Sequence, residues 1–175
     1  MNKLIKESNE ILKNSTVIIK QKFVDYLKQL DYSSNSSTTE IYSIKNIEDV
    51  NRIYTGPGFY VILVDQKFEE NRSVFSFANH AAIYRGHSYS VRDRNKSHLF
   101  NSEYNSSDFK NKPRYTVCLK FEDGIQGINL DEEPYCNYSW KIIVHKMKGS
   151  NKLIREQAEL AFDEIYGRPF KSKER

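Results

Sequence analysis

The eighteen residues from Ala81 to His98 constrain this chain most, because they demand a strand, a tight turn and a polar helix face in immediate succession. Ala81 to Tyr84 is small and β-favouring, Gly86 turns without a Cβ penalty, and Ser88 or Ser90 can cap a helix starting near Val91. On that helix, spacings of three and then four residues put Val91, Arg94 and His98 on one face. A permanent cation and a titratable ring therefore line up beside the strand end that carries Tyr84.

A second fragment, Gly56-Pro57-Gly58-Phe59-Tyr60-Val61-Ile62-Leu63-Val64, reads as a turn feeding a buried strand that also opens on a tyrosine. Together the two fragments resemble the GIY-YIG nuclease superfamily. Gly58-Phe59-Tyr60 is similar to the first half of its signature and Tyr84-Arg85-Gly86 to the second. In that family the second tyrosine is followed ten residues later by an arginine and often fourteen residues later by a histidine, offsets that land on Arg94 and His98. Phe59 and Arg85 depart from the pattern, each standing where the family has Ile, and the long interval between Tyr60 and Tyr84 requires an insertion in the first hairpin.

The insertion is polar from Asp65 to Ser73 and alternates again over Val74 to Phe77, as a long hairpin loop or an added strand would. Ahead of these fragments, Asn2 to Leu30 spaces its aliphatic residues helically, as one helix or two broken at Asn14-Ser15-Thr16, with Lys13, Lys20, Lys22 and Lys28 on a solvated face. Asp31 to Glu40 is Ser, Thr and Asn, too polar to build a core, and marks the boundary between an N-terminal helical extension over 1–40 and a main domain over 41–175. Ile44, Ile47, Val50 and Ile53 then recur by threes, predicting a short helix capped by Asn46 or Ser43. Beyond an Asn/Ser/Lys-rich loop over 101–112, a strand is predicted over 115–121 with a partner over 125–130. Trp140 to Val144 is the next strand, and Gly149-Ser150-Asn151 ends it and caps a helix from about Lys152 to Tyr166.

The fold class predicted is α+β: a small, mainly antiparallel three-stranded sheet of Tyr60–Val64, Ala81–Tyr84 and Trp140–Val144, flanked by helices, with added hairpin strands. The family resemblance implies a metal-binding glutamate on the helix after the third of these strands. Glu159, followed by Phe162 and Tyr166, matches the family spacing better than Glu156; the family's asparagine after Pro169-Phe170 is replaced by Lys171, so both glutamates stay open.

What the resemblance implies chemically is phosphodiester hydrolysis. One Mg2+ or Mn2+ ion keeps several waters and can sit on a single carboxylate plus the substrate phosphate. Arg94 offers a planar fork to the charge gathering on the phosphoryl oxygens. The resemblance makes one tyrosine the base, with Tyr60 favoured and Tyr84 as its partner, and His98 relaying a proton or holding a phosphate. Arg85, His87 and Lys96 are the substrate-binding candidates. DNA is the expected partner, with RNA the alternative polymer, acting as a monomer or homodimer; the rival expectation is a reworked domain of the same fold that binds nucleic acid or a protein without cutting.

Bulk properties are compatible with this. A net charge of +4 suits a polyanion partner. Cys118 and Cys136 have neither disulfide-framework nor zinc spacing, and no segment reads as a signal peptide or membrane span, so a cytoplasmic chain is expected. There is no Gly-rich ATPase-type phosphate loop and no Ser-His-Asp order.

Overall fold

The computed structural model describes residues 1–100, 119–121 and 127–172. It is an α+β arrangement in which five strands form one sheet: β1 (Thr39–Ile44), β2 (Gly58–Val64), β3 (Ser76–Phe77), β4 (His80–Ser88) and β5 (Trp140–Lys146). Their order is β1-β5-β2-β4-β3, with every pairing antiparallel. The three strands expected from the sequence are the central β5-β2-β4, so the three-stranded prediction is corrected outward. Six residues of β1 add to β5, and the threefold spacing that begins at Ile44 becomes the short helix over Ile47–Asn51. The inserted hairpin contributes β3, two residues long, at the opposite edge.

Among the described residues four α-helices cover the two faces: α1 (Asn2–Gln29), α2 (Ile47–Asn51), α3 (Val91–Leu99) and α4 (Lys152–Tyr166). The helix α1 is continuous through Asn14-Ser15-Thr16, because Thr16 returns its hydroxyl to the Lys13 carbonyl at 2.8 Å and so stays within the helical geometry. Asn46 caps α2, accepting from the backbone N–H groups of Glu48 and Asp49, and Asn151 caps α4, accepting from Ile154 N–H at 2.9 Å. Ser90 begins α3, but its hydroxyl goes to the Asp93 carboxylate at 2.7 Å. The polar segment before β1 is held by its own side chains: Ser36 Oγ accepts from Thr38 and Thr39 N–H, and Asn35 accepts from Ile41 N–H.

Every residue of β2 is buried, because the strand is central and covered on both sides. Alternation along it divides two cores. Tyr60, Ile62 and Val64 pack with Ile44, Val50, Val91, Leu99, Phe100 and Trp140, under α2 and α3. Phe59, Val61 and Leu63 pack with Val24, Leu27, Ala158, Ala161 and Phe162, under α1 and α4. The strand expected over 115–121 lies largely outside the described residues, as does the loop over 101–112. Of its expected partner over 125–130, the described part forms an isolated bridge between Asn129 and Phe100. No described helix is long and apolar enough to cross a membrane.

Candidate functional site

The two tyrosines meet because of a register shift. Cross-strand partners share a sheet face. Leu63 pairs with Ala82 and Ile62 with Tyr84, which leaves Ile83 as an extra residue, a β-bulge. Strict alternation would have turned Tyr84 to the α4 face together with Ala82. The bulge resets the phase, so Tyr84 and Gly86 stand on the α3 face, and Gly86 lies directly opposite Tyr60. Gly86 is thus inside a strand rather than in the expected turn. Its role is close approach: a Cβ there would stand 2.7 Å from Tyr60 Oη and 2.8 Å from Tyr84 Cε1.

Around this gap three rings gather. Tyr60 Oη lies 2.9 Å from His98 Nε2, the Tyr84 and His98 ring centroids are 4.5 Å apart, and those of Tyr60 and Tyr84 are 6.1 Å apart. Tyr60 and His98 are fully buried, while Tyr84 and Arg94 are partly open to solvent. Burial, then the charge of Arg94, lowers the His98 pKa to about 3, so the ring is neutral and can accept the Tyr60 proton at Nε2. Burial above all, reinforced by Tyr84 and Glu159, raises the Tyr60 pKa, and burial followed by Glu159 raises that of Tyr84. Arg94 pulls both phenols back down, so its guanidinium charge is felt by all three rings. Both phenols stay protonated near neutrality, the reverse of what a free phenolate base would need.

The carboxylates arrive from the other face. Arg85 shares the α4 side with Val61, and its Nε and Nη2 donate to Asp163 Oδ1 and Oδ2 at 3.0 and 2.6 Å, a two-pronged ion pair. Its Nη1 lies 3.5 Å from Glu159 Oε2, at a point where Arg85 is 3% and Glu159 1% exposed. Burial works against the Arg85 charge, but the hydrogen bonds to Asp163 and the charges of Glu159 and Asp163 more than offset it, and its pKa is raised. The unusual strand arginine is therefore engaged by α4 rather than standing open to a substrate. Its backbone N–H donates to Ser172 Oγ at 2.9 Å.

The remaining candidates are more scattered. His87, half-buried, pairs with Phe59 and so takes the α4 face with Arg85. Lys96 is two residues beyond Arg94, about 200° round α3. Glu156 lies nearer the surface, 3.7 Å from Lys152. Tyr60, Tyr84, Arg94 and His98 are brought together; Glu159 reaches them through its charge from across β4. Asp163 had stood among several α4 acids without a role. The signal that could have singled it out is its spacing of four from Glu159 combined with an arginine in a buried strand. Arg155, four residues before Glu159, continues the same buried polar stripe, donating to the Ser150 carbonyl at 2.6 Å beneath the Tyr89 ring.

Among the described residues no group of three or more His, Cys, Asp or Glu side chains is arranged to hold a metal ion. A hard cation needing one protein oxygen is a lesser demand. Glu159 is the carboxylate whose charge is felt at both phenols, but it is 1% exposed, on the α4 face and 3.5 Å from Arg85 Nη1, so a cation there would have to take the place of that contact. No family model, curated protein or solved structure matches the chain.

Proposed function

We propose that the protein is a divalent-metal-dependent endonuclease with a GIY-YIG-like fold that hydrolyses DNA phosphodiester bonds, in a restriction, repair or mobile-element role. One observation carries the reading: a hydrogen-bonded Tyr60–His98 pair and Tyr84 share one face, under the charge of a partly open Arg94. Glu159 would hold the Mg2+ or Mn2+ ion, which when bound lowers the pKa of its water and offsets phosphoryl charge. Arg94 receives the phosphate and stabilises charge in the transition state. A phosphate on Arg94 would offset the smaller of the two causes that hold His98 down. That eases transfer of the Tyr60 proton to Nε2 as Tyr60 Oη takes one from the attacking water, while burial, the larger cause, still opposes charge on the ring.

A Mg2+-dependent plasmid cleavage assay beside Arg94→Ala and Glu159→Gln tests this. Cleavage should fall at least about 100-fold in both variants, the scale of losing one electrostatic stabiliser. Equal low activity in all three proteins would point to a contaminant and end the proposal. A second reading, a domain of this fold that binds nucleic acid or a protein without cutting, is favoured by the Arg85 contact on buried Glu159, which competes with a cation. It predicts retained DNA binding with no cleavage by the unmodified chain, and substituting RNA in the same assays separates the polymers.

A further inference from the structure

Every residue from 1 to 14 is exposed, so the first half of α1 projects from the body for about 21 Å at 1.5 Å per residue. An isolated helix shorter than about 12–15 residues is marginal in water. This one is not polar all round. Leu4, Ile5, Ile11, Leu12 and Ile18 are between 50% and 65% exposed. At 3.6 residues per turn they fall, with Ser8, Ser15 and Ile19, in one sector of about 140°. Lys3, Lys6, Glu10, Lys13 and Lys20 fall outside it, so the strip carries no charge until Lys22 at its body end.

The strip is palindromic. About a centre between Ile11 and Leu12, an antiparallel copy sets Ile11 on Leu12, Ser8 on Ser15, Ile5 on Ile18 and Leu4 on Ile19. Apolar residues meet apolar ones, and the two serines let the backbones come close at the middle. The same register delivers the Leu4 end of one helix to Ile19 of the other. There an apolar groove of about 440 Å3 opens between α1, the sheet and α4, lined among others by Ile19, Phe23, Met147 and Ile154. We propose that α1 pairs antiparallel with α1 of a second copy, each helix seating its Leu4 end in the other's groove. An aliphatic side chain offers on the order of 100 Å2 of apolar surface, so ten of them reach on the order of 1,000 Å2, near the ~1,200 Å2 at which specific interfaces begin. The contact is isologous, so it closes at two copies.

Light scattering after size exclusion, on the full chain, reads the result. The unmodified protein should run at twice 20.6 kDa. Ile11→Asp/Leu12→Asp changes only exposed positions, so it should keep the helical circular dichroism and fall to one chain mass. Direction is read by oxidation in a background without the native cysteines: Ser8→Cys/Ser15→Cys should give a covalent dimer and Ser8→Cys alone should not. A monomer at about 100 μM, a dimer that survives the aspartates, or efficient cross-linking by Ser8→Cys alone would each overturn the proposal.

Discussion

Gly86→Ala is the sharpest probe of the tyrosine cluster. The new Cβ would lie 2.7 Å from Tyr60 Oη, 2.8 Å from Tyr84 Cε1 and 2.9 Å from Tyr60 Cζ, all inside the distances real Cβ atoms keep. Tyr84, partly open, can yield. Tyr60 cannot, because it is fully buried and its hydroxyl is held at 2.9 Å by His98. Overpacking of a full core costs about 1–3 kcal/mol. Separating Tyr60 from His98 strands buried polar atoms for about 1–3 kcal/mol more. The sum, about 2–6 kcal/mol, should lower a urea midpoint by about 1–3 M at a slope of about 2 kcal/mol per M. Tyr60→Phe removes the closest atom, so Gly86→Ala should cost less in that background, with a coupling of at least about 1 kcal/mol in a double-mutant cycle. A cost below about 0.5 kcal/mol, or strictly additive effects, would show that Gly86 is not holding room for the phenols.

Two further outcomes follow from the buried charges. Arg85→Ala leaves Asp163 and Glu159 without their shared counter-charge and should cost about 3–5 kcal/mol in chemical denaturation, whereas a loss under 1 kcal/mol would mean that the ion pair is dispensable. His98 and His145, both lowered by burial to a pKa of about 3, bind no proton in the fold until well below their ordinary 6.5. Unfolding therefore takes up protons as the pH drops. Each histidine should remove stability at a slope approaching 1.4 kcal/mol per pH unit between 6.5 and about 3, and leave it flat above 6.5. Denaturation curves from pH 7.5 to 5 should flatten in His98→Asn/His145→Asn, and an unchanged slope would refute the assignment.

Local chemistry made much of this chain legible in advance. The helix over Lys152–Tyr166 and its Asn151 cap follow from a polar cap ahead of an amphipathic run, and Arg94 and His98 share α3 by spacing alone. The apolar run of β2 announces a strand covered on both sides. Such features depend on neighbours within a turn or two, where backbone geometry leaves few options.

What the tertiary structure alone decided is which faces these residues take. Nothing within Ala81 to Tyr84 reveals that Ile83 is skipped; that depends on how β4 registers against β2, and one skipped residue carries every later side chain to the other face. Hence Tyr84 joins Tyr60, Gly86 becomes a gap between rings, and Arg85 turns to Asp163 on a helix seventy-eight residues further along the chain. The edge strand β1 was obscured, and β3 was one of two readings open for the insertion, since short alternating segments become strands only when a neighbour supplies their hydrogen bonds. Sequence spacing assigned the candidate groups to their elements, and the register of one ladder determined which of them could meet.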